Sequence, residues 1–332
     1  MTDKTLDVVA IGNAIVDVLA HADEAFLDRH AMVKGSMKLI DEDAAEKLYA
    51  DMGSAIEASG GAAGNTAAGM ASLGGRVGFI GRVRDDQLGD VYGHDIRSIG
   101  VEFRTPAAAS GPATGRCLVL VTSDAERTLN TFLGAASLLS PDDVDEAFVA
   151  SAEIVYCEGY LWDLPEAKAA LIKAMDAARA AGGKVAFSLS DSFCVDRHRA
   201  EFLDLAENRI DILFANESEI CSLYEVDTFD EAAARVAGHC ELACLTRSEK
   251  GSVIITSTGE RVVVPAHPIG PLVDTTGAGD LYAAGVLYGL THGASLERCA
   301  QLGSLAAGEV ISHLGPRPET DLAALAAAEL PT

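Results

Sequence analysis

Apolar residues in this chain fall into short unbroken runs at 6–12, 76–81, 117–122, 153–159, 184–189, 211–215 and 242–246. Each is too short for a buried helix, so each predicts a strand covered on both faces. Between them lie segments with helical spacing at 86–99, 165–181, 197–208, 217–224 and 229–239, the second ending at Gly182-Gly183. Strand and helix in turn imply a mostly parallel sheet with helices on both sides. A short strand near 34–40 precedes a polar helix near 43–52, residues 253–256 and 262–264 pair as a hairpin, and the Ala-rich tract after Pro318 predicts a surface helix.

Polar residues gather where these strands end. Asn13 and Asp17 follow the first, Asn216 and Glu219 follow 211–215, and Thr246-Arg247 follow 242–245. In an open α/β sheet that rim is where ligands bind. Taken singly, each also reads as an ordinary turn, and Asn216/Glu219 as a helix cap. Val273-Asp274-Thr275-Thr276-Gly277-Ala278-Gly279-Asp280 carries the most chemistry. A two-glycine turn opening onto an apolar helix leaves backbone N–H groups unpaired, a cradle for an anion. Asp280 in the first turn is out of place in a site that only holds phosphate. It suits a base that takes a proton from a hydroxyl while the cradle steadies a moving phosphoryl group. Arg127, set among apolar residues at 126–135, is a candidate phosphate partner. A second glycine-rich segment, 60–75, runs into a helix of small residues. Neither G-x-G-x-x-G nor the Walker pattern occurs, which lowers the odds of a dehydrogenase or a P-loop enzyme.

Charge changes the picture by exclusion. With 25 basic against 50 acidic residues and a net charge of −25, nucleic acid and anionic membrane are not expected partners. No run reaches the length of a membrane span. The seven cysteines form no Cys-x-x-Cys pair, and reduced buried thiols in a cytoplasmic protein are the expectation.

Three signatures together resemble the ribokinase-like (PfkB) family of carbohydrate and nucleoside kinases: Gly60-Gly61-x-x-x-Asn65, Asn216-x-x-Glu219, and Asp274-Thr275-Thr276-Gly277-Ala278-Gly279-Asp280. The strings at 12–17, 127–136 and 211–217 resemble its adenosine kinase branch. The resemblance implies a three-layer α/β/α fold with a small β-rich lid, formed by about 13–40 and 100–133 within one domain spanning 1–332. It implies ATP-dependent phosphorylation of a hydroxymethyl group, with Asp280 as base and the backbone of Gly277, Ala278, Gly279 and Asp280 as anion hole, supported by Arg127. Asn13, Asp17, Gly61 and Asn65 would bind sugar hydroxyls. Asn216, Glu219, Thr246 and Gly251 would serve the nucleotide, Glu219 reaching Mg²⁺ through water. Asp274 and Thr276 would be ligands of a monovalent cation such as K⁺. Met37, Leu39, Leu129, Phe132, Leu161, Trp162 and Phe193 would cover a nucleoside base. The expected reaction is adenosine to AMP in a cytoplasmic monomer or homodimer. A sugar kinase acting on ribose, fructose or a keto-deoxy acid, and a catalytically silent nucleotide-binding protein, remain the alternatives.

Overall fold

The computed structural model describes residues 4–124 and 126–330. Its strands in chain order are β1 (Leu6–Ile11), β2 (Ile15–His21), β3 (Met37–Leu39), β4 (Ala55–Gly60), β5 (Val77–Ile80), β6 (Glu102–Phe103), β7 (Gly115–Val121) and β8 (Arg127–Phe132). There follow β9 (Ala152–Glu158), β10 (Lys184–Ser188), β11 (Ile212–Asn216), β12 (Leu242–Thr246), β13 (Ser252–Thr256) and β14 (Arg261–Val264). A nine-stranded sheet has the order β14-β13-β12-β11-β10-β9-β1-β5-β6, and a five-stranded one the order β3-β8-β7-β2-β4. The large sheet is parallel from β6 to β12 and antiparallel only at the β12-β13-β14 end.

Alternate residues of each large-sheet strand enter different cores, as the two-residue repeat of a strand requires. Val8, Ala10, Tyr156 and Phe214 join the core beneath helices Ala62–Ser72, Ala278–Thr291 and Leu296–Val310. Val9, Ile11, Cys157 and Leu213 join the opposite core, beneath Pro165–Ala180 and Ser192–Asn208. Both faces are dry, which is why these strands read as unbroken apolar runs.

The small sheet departs from the lid expected at 13–40 and 100–133. It also takes in β4, whereas β6 edges the large sheet. The 55–60 segment, Ala-Ile-Glu-Ala-Ser-Gly, has little strand propensity, and its pairing is imposed by β2, which it meets from Ile15↔Gly60 to Ala20↔Ala55. One face of this sheet (Val16, Val18, Leu118, Leu120) belongs to the main core. The other carries a separate apolar cluster of Ile15, Cys117, Val119, Val121 and Ala136, with Leu19, Leu129, Leu133 and Leu314 against it.

Helices Glu24–Arg29 and Leu296–Val310 are additions to the sequence expectation. The helix expected at 197–208 begins at Ser192, and the one expected to reach 239 stops at Val236.

Candidate active site

Strand order places the site. The chain leaves β1 for β5 on one side and returns to β9 on the other, so a crevice opens between the carboxyl ends of β1 and β9. Glu158, the last residue of β9, is fully buried there and accepts from Asn13 N (2.7 Å), Asn13 Nδ2 (2.6 Å) and Ala63 N (2.9 Å). Gly12 is required at this point, since a Cβ on it would lie 2.2 Å from Glu158 Oε2. Gly61, at φ +86°, brings its Cα so close to the Asn13 carbonyl that a Cβ would lie 2.0 Å from that oxygen. The second glycine signature therefore seats the helix Ala62–Ser72 on the end of β1.

That helix packs tightly against Ala278–Thr291. A Cβ on Gly69 would meet Leu281 Cδ1 at 2.4 Å and Ala284 Cβ at 2.8 Å. The close approach brings Asn65 Nδ2 to 2.9 Å from Asp280 Oδ2 and Thr66 Oγ1 to 3.1 Å from the Asp280 carbonyl. Gly277 caps the second helix in a left-handed conformation (φ +81°), where a side chain would collide with Pro316 at 2.8 Å. Ala278 N–H turns back to Thr275 O (3.2 Å). The Gly279 and Asp280 N–H groups, in the first turn, have no helical acceptor, and a Cβ on Gly279 would meet nothing within 4 Å. The cradle therefore opens onto free space.

The site is acidic. Burial pushes the Asp280 carboxyl up to about 7 against the opposing Asn65 hydrogen bond, with Glu158 adding to the rise. Burial raises Glu158 to about 7 and Asp17, beside β7 in the small sheet, to about 6, the latter moderated by Arg317 and Arg127. Arg317 went unremarked in the sequence, as did Glu158. The only hint was its place in Gly315-Pro316-Arg317-Pro318. Its Nε donates to Asn65 Oδ1 (2.9 Å) and a terminal nitrogen to Ser59 Oγ (3.1 Å).

Arg127 of β8 reaches out of the small sheet to the signature turn, where it is paired with Asp274 and donates to Thr276 Oγ1 at 3.1 Å. Both charged side chains are buried, and Arg127 Nε has no acceptor among the described residues. An orphaned guanidinium N–H beside an open cradle suits the phosphate of a nucleotide. A monovalent cation at Asp274 does not fit. One carboxylate oxygen accepts from Thr276 N (3.0 Å) and Thr276 Oγ1 (2.7 Å); the other accepts from Gly315 N (3.0 Å) and is held by Arg127. A cation there would stand against a buried guanidinium.

Asn216 and Thr246 lie side by side at the ends of β11 and β12. Glu219 closes a reciprocal cap with Asn216: its oxygens accept from Asn216 N (2.9 Å) and Nδ2 (2.5 Å), and its N–H donates to Asn216 Oδ1 (2.9 Å). With both oxygens engaged and its carboxyl raised to about 7 by burial, Glu219 suits contact with Mg²⁺ through water rather than direct ligation. Among the described residues no group of three or more His, Cys, Asp or Glu could hold a metal alone. Gly251 (φ +85°) makes the tight turn into β13, with a Cβ position only 2.1 Å from Val264 O.

The residues expected to cover a base scatter. Leu161 and Trp162 are core, Trp162 meeting Phe187 and Phe202 edge-on. Phe132 pairs with Arg116, not Cys117, and so lies on the opposite sheet face from Asp17. Met37 and Leu39 stand exposed on the outer strand β3, and Phe193 is exposed at the start of its helix. Leu129 alone joins the apolar cluster on the Asp17 face.

Against known proteins, residues 32–322 match the profile of the pfkB family carbohydrate kinases. The chain belongs to the PfkB kinase family. It is a phosphotransferase with an alcohol acceptor and has the ribokinase-like fold. A probable sugar kinase from Rhizobium etli CFN 42 superposes with a TM-score of 0.90 at 50% identity, covering 98% of each chain. An adenosine kinase from Sinorhizobium meliloti superposes at 0.89 with 52% identity, covering 97% of this chain and 99% of that one. A 5-dehydro-2-deoxygluconokinase from Geobacillus kaustophilus is 30% identical over 264 residues, 76% of this chain and 78% of its own. Adenosine and sugar kinases thus stand side by side among the relatives of this PfkB kinase. No helix among its described residues is long and apolar enough to cross a membrane.

Proposed function

We propose that this PfkB kinase is an adenosine kinase, transferring the γ-phosphoryl group of ATP to the 5′-hydroxyl of a nucleoside. The observation that carries the reading is the apolar cluster of Ile15, Leu19, Cys117, Val119 and Leu129 on the same sheet face as Asp17. Its partly exposed edge, Leu19 and Leu129, offers a flat base an uncharged contact next to a carboxylate that can hold ribose hydroxyls. An acidic acceptor is disfavoured. Asp17, Glu158 and Asp280 surround the crevice, and the two nearby cations are engaged, Arg127 with Asp274 and Arg317 with Asn65. The 52%-identical S. meliloti adenosine kinase supports the same reading.

MgATP would supply the phosphoryl group, and its metal positive charge to offset the phosphates. Asp280 holds the 5′-hydroxyl and takes its proton, Oδ2 fixed by Asn65 and Oδ1 left for substrate. The Gly279 and Asp280 N–H groups hold the charge on the moving group, with the Arg127 guanidinium beside them on the signature turn. Asn13 and Asp17 position the ribose, and Asn216, Glu219, Thr246 and Gly251 line the nucleotide side. The lid sheet meets the cradle through Arg127, so closure excludes water at the moment the cradle is complete.

A coupled ADP-release assay across adenosine, inosine, guanosine, ribose, fructose and 5-dehydro-2-deoxygluconate tests this. Adenosine is expected to give the highest kcat/KM by at least tenfold. Rapid turnover of a free sugar or sugar acid with none of adenosine would overturn it.

A further inference from the structure

We infer that Arg317 is a positioning residue for the phosphoryl transfer: it fixes the Asn65 amide so that a donor, never an acceptor, faces Asp280. A guanidinium has five N–H donors and no acceptor. Arg317 Nε lies 2.9 Å from one end of the Asn65 amide, so that end must be the carbonyl oxygen. The other end, 2.9 Å from Asp280 Oδ2, is then the NH₂. Were the amide free to turn over, its oxygen could come to rest against the carboxylate and repel the ionised form. The relay is anchored at its far end too. Arg317 donates to Ser59 Oγ (3.1 Å), and Ser59 donates from N (2.8 Å) and Oγ (2.5 Å) to Asp95.

The loop carrying Arg317 is pinned in turn. Fully buried Glu309 accepts from Glu319 N (3.0 Å), Thr320 N (2.9 Å) and Thr320 Oγ1 (2.9 Å). Each of these bonds holds an element that never touches substrate, yet all converge on the orientation of one amide. The Gly315-Pro316-Arg317-Pro318 segment also backs the cradle, because Pro316 packs on Gly277 and Gly315 N–H holds Asp274. One loop therefore sets both the base and the anion hole.

The groups around Asp280 are Asp17 from the small sheet, Glu158 and Tyr156 from β9, Tyr160 just beyond it, and Arg317. All but Arg317 are acidic or neutral, so after the Asn65 hydrogen bond itself Arg317 is the group that most favours the ionised base, and its removal raises the proton affinity.

The inference rests on the kinase reading of Asp280. Its test uses the pH dependence of kcat/KM on whichever acceptor the wild type phosphorylates. Arg317→Gln, whose amide can donate or accept, is expected to lower kcat by about 10- to 100-fold, the size of one lost hydrogen bond to a charged group. It should move the acidic limb upward by about half a unit or more and leave KM for ATP unchanged. Arg317→Lys, still donor-only, should retain the limb and most of the turnover. Should R317Q fail to fold, Ser59→Ala, which frees one guanidinium nitrogen, is expected to shift the limb the same way by less. An unmoved limb in the folded variant, or equal losses in R317Q and R317K, overturns the relay. A wild type inactive on every alcohol instead overturns the kinase reading of the site.

Discussion

Replacing Asp280 with Asn should destroy turnover while making the protein more stable, and the two effects come from one cause. Burial raises this carboxyl from 3.8 to about 7, so the folded chain holds a proton there that the unfolded chain releases. Between those values the folded state binds more protons, and unfolding free energy falls as pH rises through the window. The shift corresponds to roughly 4 kcal/mol of ionisation cost at full expression. Water reaches part of the side chain, which leaves a gain of roughly 1–2 kcal/mol for Asp280→Asn above pH 7.5. Below about pH 4 both states hold the proton and the advantage disappears. Turnover moves the other way: losing the base lowers kcat by roughly 10²–10⁴-fold. In the wild type, log kcat/KM should rise with unit slope below about pH 7 as Asp280 ionises. Urea melts at pH 4 and pH 8, paired with steady-state ADP release, read both quantities. Wild-type turnover in Asp280→Asn, or a stability change that is the same at both pH values, would refute the reasoning.

The buried Arg127–Asp274 pair predicts indifference to monovalent cations: exchanging K⁺ for tetramethylammonium should change kcat less than about twofold, and a tenfold activation by K⁺ would show that a cation displaces the guanidinium. Arg127→Met should cost roughly 3–5 kcal/mol because it strands a buried carboxylate, and Arg127→Met with Asp274→Asn should recover part of that loss in denaturant melts; a double variant weaker than the single would contradict the pairing. Glu158→Gln sets an NH₂ against donors from Asn13 and Ala63, so KM for the acceptor should rise about tenfold while KM for ATP holds, and a change confined to ATP would mean that Glu158 does not shape the acceptor pocket.

The large sheet was legible because its strands are dry on both faces, so Val8-Val9-Ala10-Ile11 announces itself without partners. β2 and β4 were not. Ile15-Val16-Asp17-Val18 carries a carboxylate, and 55–60 carries almost nothing that favours a strand. β4 takes its ladder from β2, and β2 lies between β4 and β7. The signature 274–280 stood out because a left-handed Gly277 and an acidic first helical turn are local requirements that one stretch of chain must satisfy alone. Glu158 acts through groups 95 and 145 positions away and Arg317 through groups 252 and 258 positions away, and no local pattern encodes such a pairing.

The same contrast explains the scattered base-covering residues. Aromatic content suggests a surface for a base, but which face an aromatic takes is set by register. Phe132 is placed away from Asp17 by its pairing with Arg116, one residue from the Cys117 that shares the Asp17 face. The surface that remains is the aliphatic edge of a buried cluster, where Leu19 and Leu129 are partly exposed. Such a surface makes dispersion contact with a ring of any substitution and offers no side-chain hydrogen bond to its edge. On the nucleoside reading proposed above, recognition of the base falls to shape and desolvation, and discrimination among acceptors to the carboxylates and amides that surround the hydroxyl to be phosphorylated.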